Sequence, residues 1–209
     1  FNSIDSVDSE NTFRFGLHNK LQTKREGRVE DVLKSAVYAD WRAQRRPGQS
    51  SFSDIFTDID FQPRTWLSAS SQTRYDINAG VLQQSDHYLT YEPNNIWSLA
   101  VGHRYIRDVP ALGFDSGANA IYGTFYLRLN EDWGLRTQHR FEARDGRLEQ
   151  QYYTLYRDLR SWTGALTLRV REARGGRDDL TVAVTFSLKA FPRFGIGEDS
   201  VSPSLLVGG

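Results

Sequence analysis

Two-residue alternation of apolar and polar side chains runs through nearly the whole of this sequence, and no other feature restricts its fold as much. In "SWTGALTLRVRE" (161–172), Trp162, Gly164, Leu166, Leu168 and Val170 share one parity, while Thr163, Thr167, Arg169 and Arg171 share the other. On a strand those parities are opposite faces. No segment carries a sustained i, i+3, i+4, i+7 apolar stripe, so the chain reads as all-β.

About eleven strands follow from the alternation and from the turn residues between its runs. They fall near 12–24, 29–41, 52–61, 66–77, 81–92, 96–107, 119–129, 133–143, 147–158, 162–172 and 179–190. In the second half Ile121, Phe125, Leu127 and Leu129 oppose Tyr122, Thr124, Tyr126 and Arg128; Leu135 and Phe141 oppose Arg136, Gln138, Arg140 and Glu142. Leu180, Val182, Val184, Phe186 and Leu188 oppose Thr181, Thr185, Ser187 and Lys189. One face is nearly free of charge and the other is polar with repeated Arg. In the ninth strand, "RLEQQYYTLYRD", the apolar parity switches between Leu148 and Leu155, which predicts a bulge.

The turns differ by kind. "REGR", "QPRT", "EPNN", "NED" and "LRS" are short and join an odd strand to the next even one. Connections of the other kind include the longer "AQRRPGQSS" and "DVPALGFDSG", beside the tight "NAG" and "RDG". Four of the five Trp residues, Trp66, Trp97, Trp133 and Trp162, stand at the start of an even strand, directly after a turn of the first kind. They share one end, one level and the apolar parity, as an aromatic girdle at a membrane interface requires. Trp41, at the far end of its strand, belongs to the opposite girdle on this reading.

A soluble barrel plugged by its indoles, or a two-sheet sandwich, has the same alternation with the apolar face turned inward. Strand length favours the inverted arrangement: ~11 residues at ~3.3 Å rise and ~45° tilt span roughly 25 Å, the height of an outer-membrane apolar band. The bulky apolar side chains of so many strands also crowd a single interior, whereas lipid outside and a wet lumen inside accommodate them. A mean hydropathy of −0.56 agrees with this, because such strands hide half their residues from lipid. No apolar run approaches the roughly 18 residues of a membrane helix. The expected fold is an antiparallel up-and-down transmembrane β-barrel.

Lys plus Arg and Asp plus Glu number 26 each, so no global field draws the chain to nucleic acid. Cysteine is absent, which removes disulfides and thiolate sites and leaves the redox compartment open. The start, "FNSIDSVDSEN", lacks the basic and apolar regions of a signal peptide. An odd strand count puts the two termini on opposite sides of the membrane, so the chain is expected to be the C-terminal part of a larger barrel, or to hold one more strand before residue 12. The expected division is barrel over 1–191 and a flexible C-terminal tail over 192–209.

"FRFGLHNKLQTKREGRVEDVL" (13–33), "FSDIFTDIDFQPRTWLSASSQTRYD" (52–76), and "QQYYTLYRDLRSWTGALTLRVRE" with "DDLTVAVTFSLKAFP" (150–172 and 178–192) resemble the C-terminal barrel of the LPS-assembly protein family LptD (OstA). The resemblance lies in strand and turn patterning up to about Pro192. It implies a bacterial outer-membrane barrel that receives lipopolysaccharide from a periplasmic bridge and releases it to the outer leaflet through a lateral seam between its first and last strands. It also implies an LptE-like plug lipoprotein as partner, and outer-membrane lipid around the wall. Leu180, Val182, Val184, Phe186 and Leu188 would mark one lip of that seam. Two departures are the chain after Phe191 and Phe194, where many such barrels end on an aromatic residue, and the absence of the cysteines that tie barrel to jellyroll in the family's better-known members.

On that reading Arg136, Arg140, Arg169, Arg171 and Lys189 face the lumen and suit phosphate or carboxylate groups of a passing glycolipid. The competing assignment is ordinary salt bridging to Glu142, Glu172 or Asp178. Asp54, Asp58 and Asp60 share a parity but lack the Gly turn of a calcium loop, and a solvated or Arg-paired face is the expectation. His18, His87, His103 and His139 show no paired spacing, so no metal site is expected. No catalytic or cofactor motif is present. The alternatives kept are a general diffusion porin or passive barrel, a soluble β-sandwich binding module, and an outer-membrane hydrolase with a triad built from distant residues.

Overall fold

The computed structural model describes residues 11–45, 48–108, 117–172 and 178–196, with 191–196 described through the backbone alone. Twelve strands are present: β1 Thr12–Arg25, β2 Arg28–Arg42, β3 Ile55–Arg64, β4 Leu67–Asp76, β5 Val81–Tyr91, β6 Trp97–Ile106, β7 Ala118–Arg128, β8 Trp133–Glu142, β9 Arg147–Asp158, β10 Trp162–Arg171, β11 Asp179–Leu188 and β12 Phe191–Ile196. Their hydrogen-bonded order is their order in sequence, and no β1–β12 pair occurs among the described residues. The fold is all-β, antiparallel and up-and-down, and no helix is long and apolar enough to cross a membrane.

The chain divides into two units, Phe1–Pro63 with Ser70–His87 and Tyr105–Gly117, and Arg64–Ala69 with Tyr88–Arg104 and Ala118–Gly209. In the first, β1 and β2 pair from Thr12↔Arg42 to Arg25↔Arg28, with one irregularity after Leu21. Glu26 and Gly27 have φ of 49° and 81°, the paired left-handed conformation of a two-residue hairpin loop whose twist matches its strands. Arg14 grips Asp40 through two hydrogen bonds of 2.7 and 3.0 Å, and its guanidinium lies 4.9 Å from the Tyr38 ring centroid. On the other parity Phe13 packs on Trp41 with ring centroids 5.6 Å apart.

The third strand differs from its expected span of 52–61: it starts at Ile55 and runs to Arg64. Phe52 makes an isolated bridge to Trp41 instead. Pro63, with no N–H to give, lies beyond the Leu33↔Phe61 end of the β2–β3 register and so costs that ladder nothing.

In the second unit β7 to β11 pair along nearly their full lengths. The predicted bulge in β9 is present: Arg140 faces Gln150 while Phe141 faces Leu148, so Glu149 is the extra residue. It lets Leu148 and Leu155 share the apolar face despite their odd separation.

Burial is inverted relative to a soluble domain. Ser53, Ser85, Glu142, Thr154, Thr167 and Ser187 are buried, against only Ala120, Tyr156 and Ala165 among apolar side chains of the described residues, while Phe15, Leu17, Leu166 and Leu180 are exposed. Water-facing sheets bury their apolar parity; here the polar parity is the sheltered one. Thr154 and Thr167 bond to each other across β9 and β10 at 3.0 Å, which satisfies two buried hydroxyls.

The described residues reach five positions into the segment expected as a tail. Residues 191–196 form β12, which returns along the end of β11, pairing Phe186↔Ile196, Ser187↔Gly195 and Leu188↔Phe191. The two-residue break at Lys189 and Ala190 is short enough for a hairpin, but the residues after it carry no alternation that would distinguish a strand from a loose end. Residues 197–209 lie outside the described residues.

Candidate functional site

The four indoles expected to form a girdle all belong to the second unit. Trp97, Trp133 and Trp162 open β6, β8 and β10, whereas Trp66 sits in the turn just before β4 because β3 runs three residues longer than expected. Trp66 meets Tyr91 edge-on at 5.5 Å, Tyr91 lies 5.4 Å from Trp97, and Trp97 lies 6.4 Å from Phe125. Arg157 covers Trp133 at 5.0 Å, an apolar stem and charged tip suited to an interface. Two asparagines set where these strands begin. The Asn94 side-chain carbonyl accepts the N–H groups of Ile96 and Trp97, and that of Asn130 accepts those of Asp132 and Trp133.

Two clefts open on the polar face of this unit. One, of about 290 Å³, is lined by Tyr122, Gln138, Arg140, Gln150, Tyr152 and Thr167 among others. The second, of about 380 Å³, is lined by Tyr88, Asn95, Ser98, Tyr126, Arg128 and Arg136 among others. Tyr126 lies over Gly134, where an added Cβ would stand 2.9 Å from the Tyr126 hydroxyl. Missing side chain and overlying ring fit one another there.

The five candidate cations separate. Arg140 lines the first cleft and Arg136 the second, whereas Arg169, Arg171 and Lys189 line neither. Arg136 stands opposite Tyr126 and Thr154 in register. Arg140 lies 5.6 Å from the Tyr122 ring and 3.2 Å from Glu149, and Arg169 contacts Thr181 at 3.0 Å and Asp179 at 3.3 Å. Arg171 stands opposite Asp179 and Gln150 in register, and Lys189 pairs with Asp158. The Nε atoms of Arg136, Arg140 and Arg169 are buried with no hydrogen-bonded partner among the described residues. Arg140 and Glu149 are therefore an ion pair by distance whose Nε geometry falls outside a hydrogen bond.

The acidic partners expected from sequence are not the ones found. Glu142 ends β8 and is taken locally by Arg144 at 3.1 Å and by the Asn119 N–H at 2.9 Å; Glu172 lies 4.0 Å from Arg147. The Asp178 pairing is replaced by Asp179. Glu149 is missed by simple parity because only the bulge turns it to the polar face. Arg128 and Tyr126 are legible as polar-face residues but carry no motif that marks them as lining a cleft, and the face of Tyr152 follows only once the bulge is located.

Leu180, Val182, Val184 and Phe186 are 67%, 65%, 55% and 44% exposed, and Leu188 half-buried. One edge of β11 is paired with β10 throughout. On its other edge Phe186, Ser187 and Leu188 have strand partners in β12, and Leu180, Val182 and Val184 have none among the described residues. Asp54 pairs with Arg74, and Asp60 lies opposite Lys34, in line with an Arg- or Lys-paired acidic face.

The family model described as "LptD: LPS transport system D" matches residues 1–133, more than half of the 209-residue chain. No curated protein matches. The match covers β1 to β7 and the first residue of β8, and the similar stretches at 150–172 and 178–192 lie outside it. With its unbroken antiparallel sheet and inverted burial, the chain belongs to the LptD family and so to lipopolysaccharide transport and assembly.

Proposed function

We propose that this chain is the C-terminal part of an outer-membrane barrel that inserts lipopolysaccharide into the outer leaflet. The observation that carries the reading is the inversion of burial across β7 to β11, where leucine, valine and phenylalanine are exposed on one face while the other shelters threonine, serine and tyrosine. A lipid-facing wall and a wet lumen require that pattern. The two clefts are lined by tyrosine rings, amides and Arg136 and Arg140, a chemistry suited to sugars and to phosphate or carboxylate oxyanions, which supports a lumenal role for them.

The role is passage, with no bond made or broken by this chain. The sugar stays in the wet lumen while the acyl chains leave sideways, so one strand edge must lack continuous pairing. Among the described residues β12 pairs with β11 at its Trp162 end and leaves Leu180, Val182 and Val184 without a second strand partner, which supports the assignment of β11 as one lip of the seam. An LptE-like plug lipoprotein and the periplasmic bridge are the partners this reading calls for.

Photo-crosslinkers at Thr167 and Thr185, on the lumenal parity, are expected to capture lipopolysaccharide during transport, and those at Leu166 and Val184 to capture bulk lipid. Equal capture of lipopolysaccharide from both faces, or solute conductance with no capture, contradicts the proposal and favours a passive pore.

A further inference from the structure

Away from its Trp133 end, the apolar face of β7 to β10 carries a cluster of polar side chains. In successive rows across the sheet, Gly123 faces His139 and His139 faces Gln151, while Phe125 faces Thr137 and Thr137 faces Tyr153. His139 Nε2 lies 3.3 Å from the Tyr153 hydroxyl, with the two rings edge-to-face at 5.5 Å. That hydroxyl donates to Gln151 Oε1 at 3.0 Å, so the phenolic oxygen accepts from the imidazole. Gly123 supplies no side chain, and a Cβ placed there meets nothing within 4 Å. Around this notch Ile121, Phe125, Phe141 and Leu168 are exposed apolar groups.

Polar side chains turned to hydrocarbon are costly unless paired, and such positions point to function. The pairing is incomplete here. The carbonyl of Gln151 is taken by Tyr153, but its two amide N–H groups have no protein partner among the described residues. The site therefore offers donors and calls for an acceptor, which the methylene part of an acyl chain does not possess. The notch is the second outward row below the β8–β9 hairpin, after Phe141 and Leu148. At two residues per row, ~3.3 Å rise and ~45° tilt, it lies ~5 Å deeper than the first row. The lipid acceptors at such a depth are the ester or amide carbonyls at the heads of the chains.

We propose that the Gly123, His139, Gln151 and Tyr153 notch holds one membrane lipid against the outer wall by its acyl carbonyl. The inference rests on the lipid-facing assignment of this face and goes beyond transport through the lumen. The carbonyl belongs either to a glycerophospholipid or to lipopolysaccharide itself, which share this chemistry.

The test uses the full chain in nanodiscs, with photo-crosslinkers at Leu168, which faces Tyr153 in register, and at Val184 as a site away from the notch. The lipids compared are a diacyl phosphatidylethanolamine, its dialkyl ether analogue without the carbonyls, and lipopolysaccharide. At Leu168 the ester is expected to exceed the ether about tenfold, equivalent to about 1.4 kcal/mol. At Val184 the two should be equal, and His139→Leu with Gln151→Leu should abolish the preference. Stronger capture of lipopolysaccharide or of the phospholipid names the source. Equal capture of ester and ether at Leu168 overturns the notch and leaves the wall lipid-facing; no lipid capture at either site overturns the lipid-facing assignment as well.

Discussion

The side-chain carbonyl of Asn130 accepts the backbone N–H of Trp133 at 2.9 Å, and Asn94 does the same for Trp97 at 3.1 Å. In both turns an asparagine three residues before the indole fixes the first residue of an even strand, and with it the level at which the ring stands. Asn130→Ala and Asn94→Ala are each expected to cost about 1 kcal/mol, the scale of a lost local cap. Asn130→Asp keeps the acceptor and should stay near wild type. Denaturant unfolding in lipid vesicles, followed by indole fluorescence, checks both.

Glu149 is the residue that lets β9 change parity. Deleting it should force either Leu148 or Leu155 onto the polar face, with loss of the folded, heat-modifiable species on gels. Glu149→Gln retains the bulge and removes the charge from a partly exposed ion pair with Arg140, so a change of about 1 kcal/mol or less is expected. Comparable failure of both variants would assign the defect to charge rather than register.

The sheet was legible because period-two alternation is a local property, and the bulge because it breaks that property within one strand. The span of β3 was not, because Gln62, Pro63 and Arg64 have turn composition yet extend the strand where pairing with β2 no longer constrains them. β12 was hidden for a related reason: "FPRFGI" has Pro and Gly and no alternation, and only its position beside Phe186 makes it a strand. For the site, parity puts Arg136 and Arg140 on the polar face, and each lines one of the two clefts. It did not reveal their companions in the clefts, because cleft lining depends on cross-strand register, which joins Arg140 to Gln150 and Tyr126 to Arg136.

Gly134 tests that register on the polar face. A Cβ there meets the Tyr126 ring at 3.1 and 3.3 Å as well as its hydroxyl. Gly134→Val is expected to destabilise by about 1–3 kcal/mol through overpacking, and Gly134→Ala by less, since the ring can tilt. Tyr126→Ala in the valine background should recover part of the loss, as read from denaturation midpoints.

Leu166 lies halfway along β10 on the apolar face, and Thr185 on the polar face of β11. Leu166→Arg should cost about 2–4 kcal/mol in a bilayer, whereas Thr185→Arg should change stability little. Unfolding from vesicles measures both, and a reversed order would place Leu166 in water.

The most direct measurement uses the absence of cysteine from this chain. Single cysteines at Thr181, Val182, Ala183, Val184 and Thr185 of the full chain in bilayers are exposed to a membrane-impermeant maleimide. In the bare fold Val182 and Val184 are the more exposed positions, so a water-bathed protein would label them fastest. The account predicts the opposite order, with 181, 183 and 185 labelled and 182 and 184 protected. Rapid labelling at 182 and 184 would contradict it.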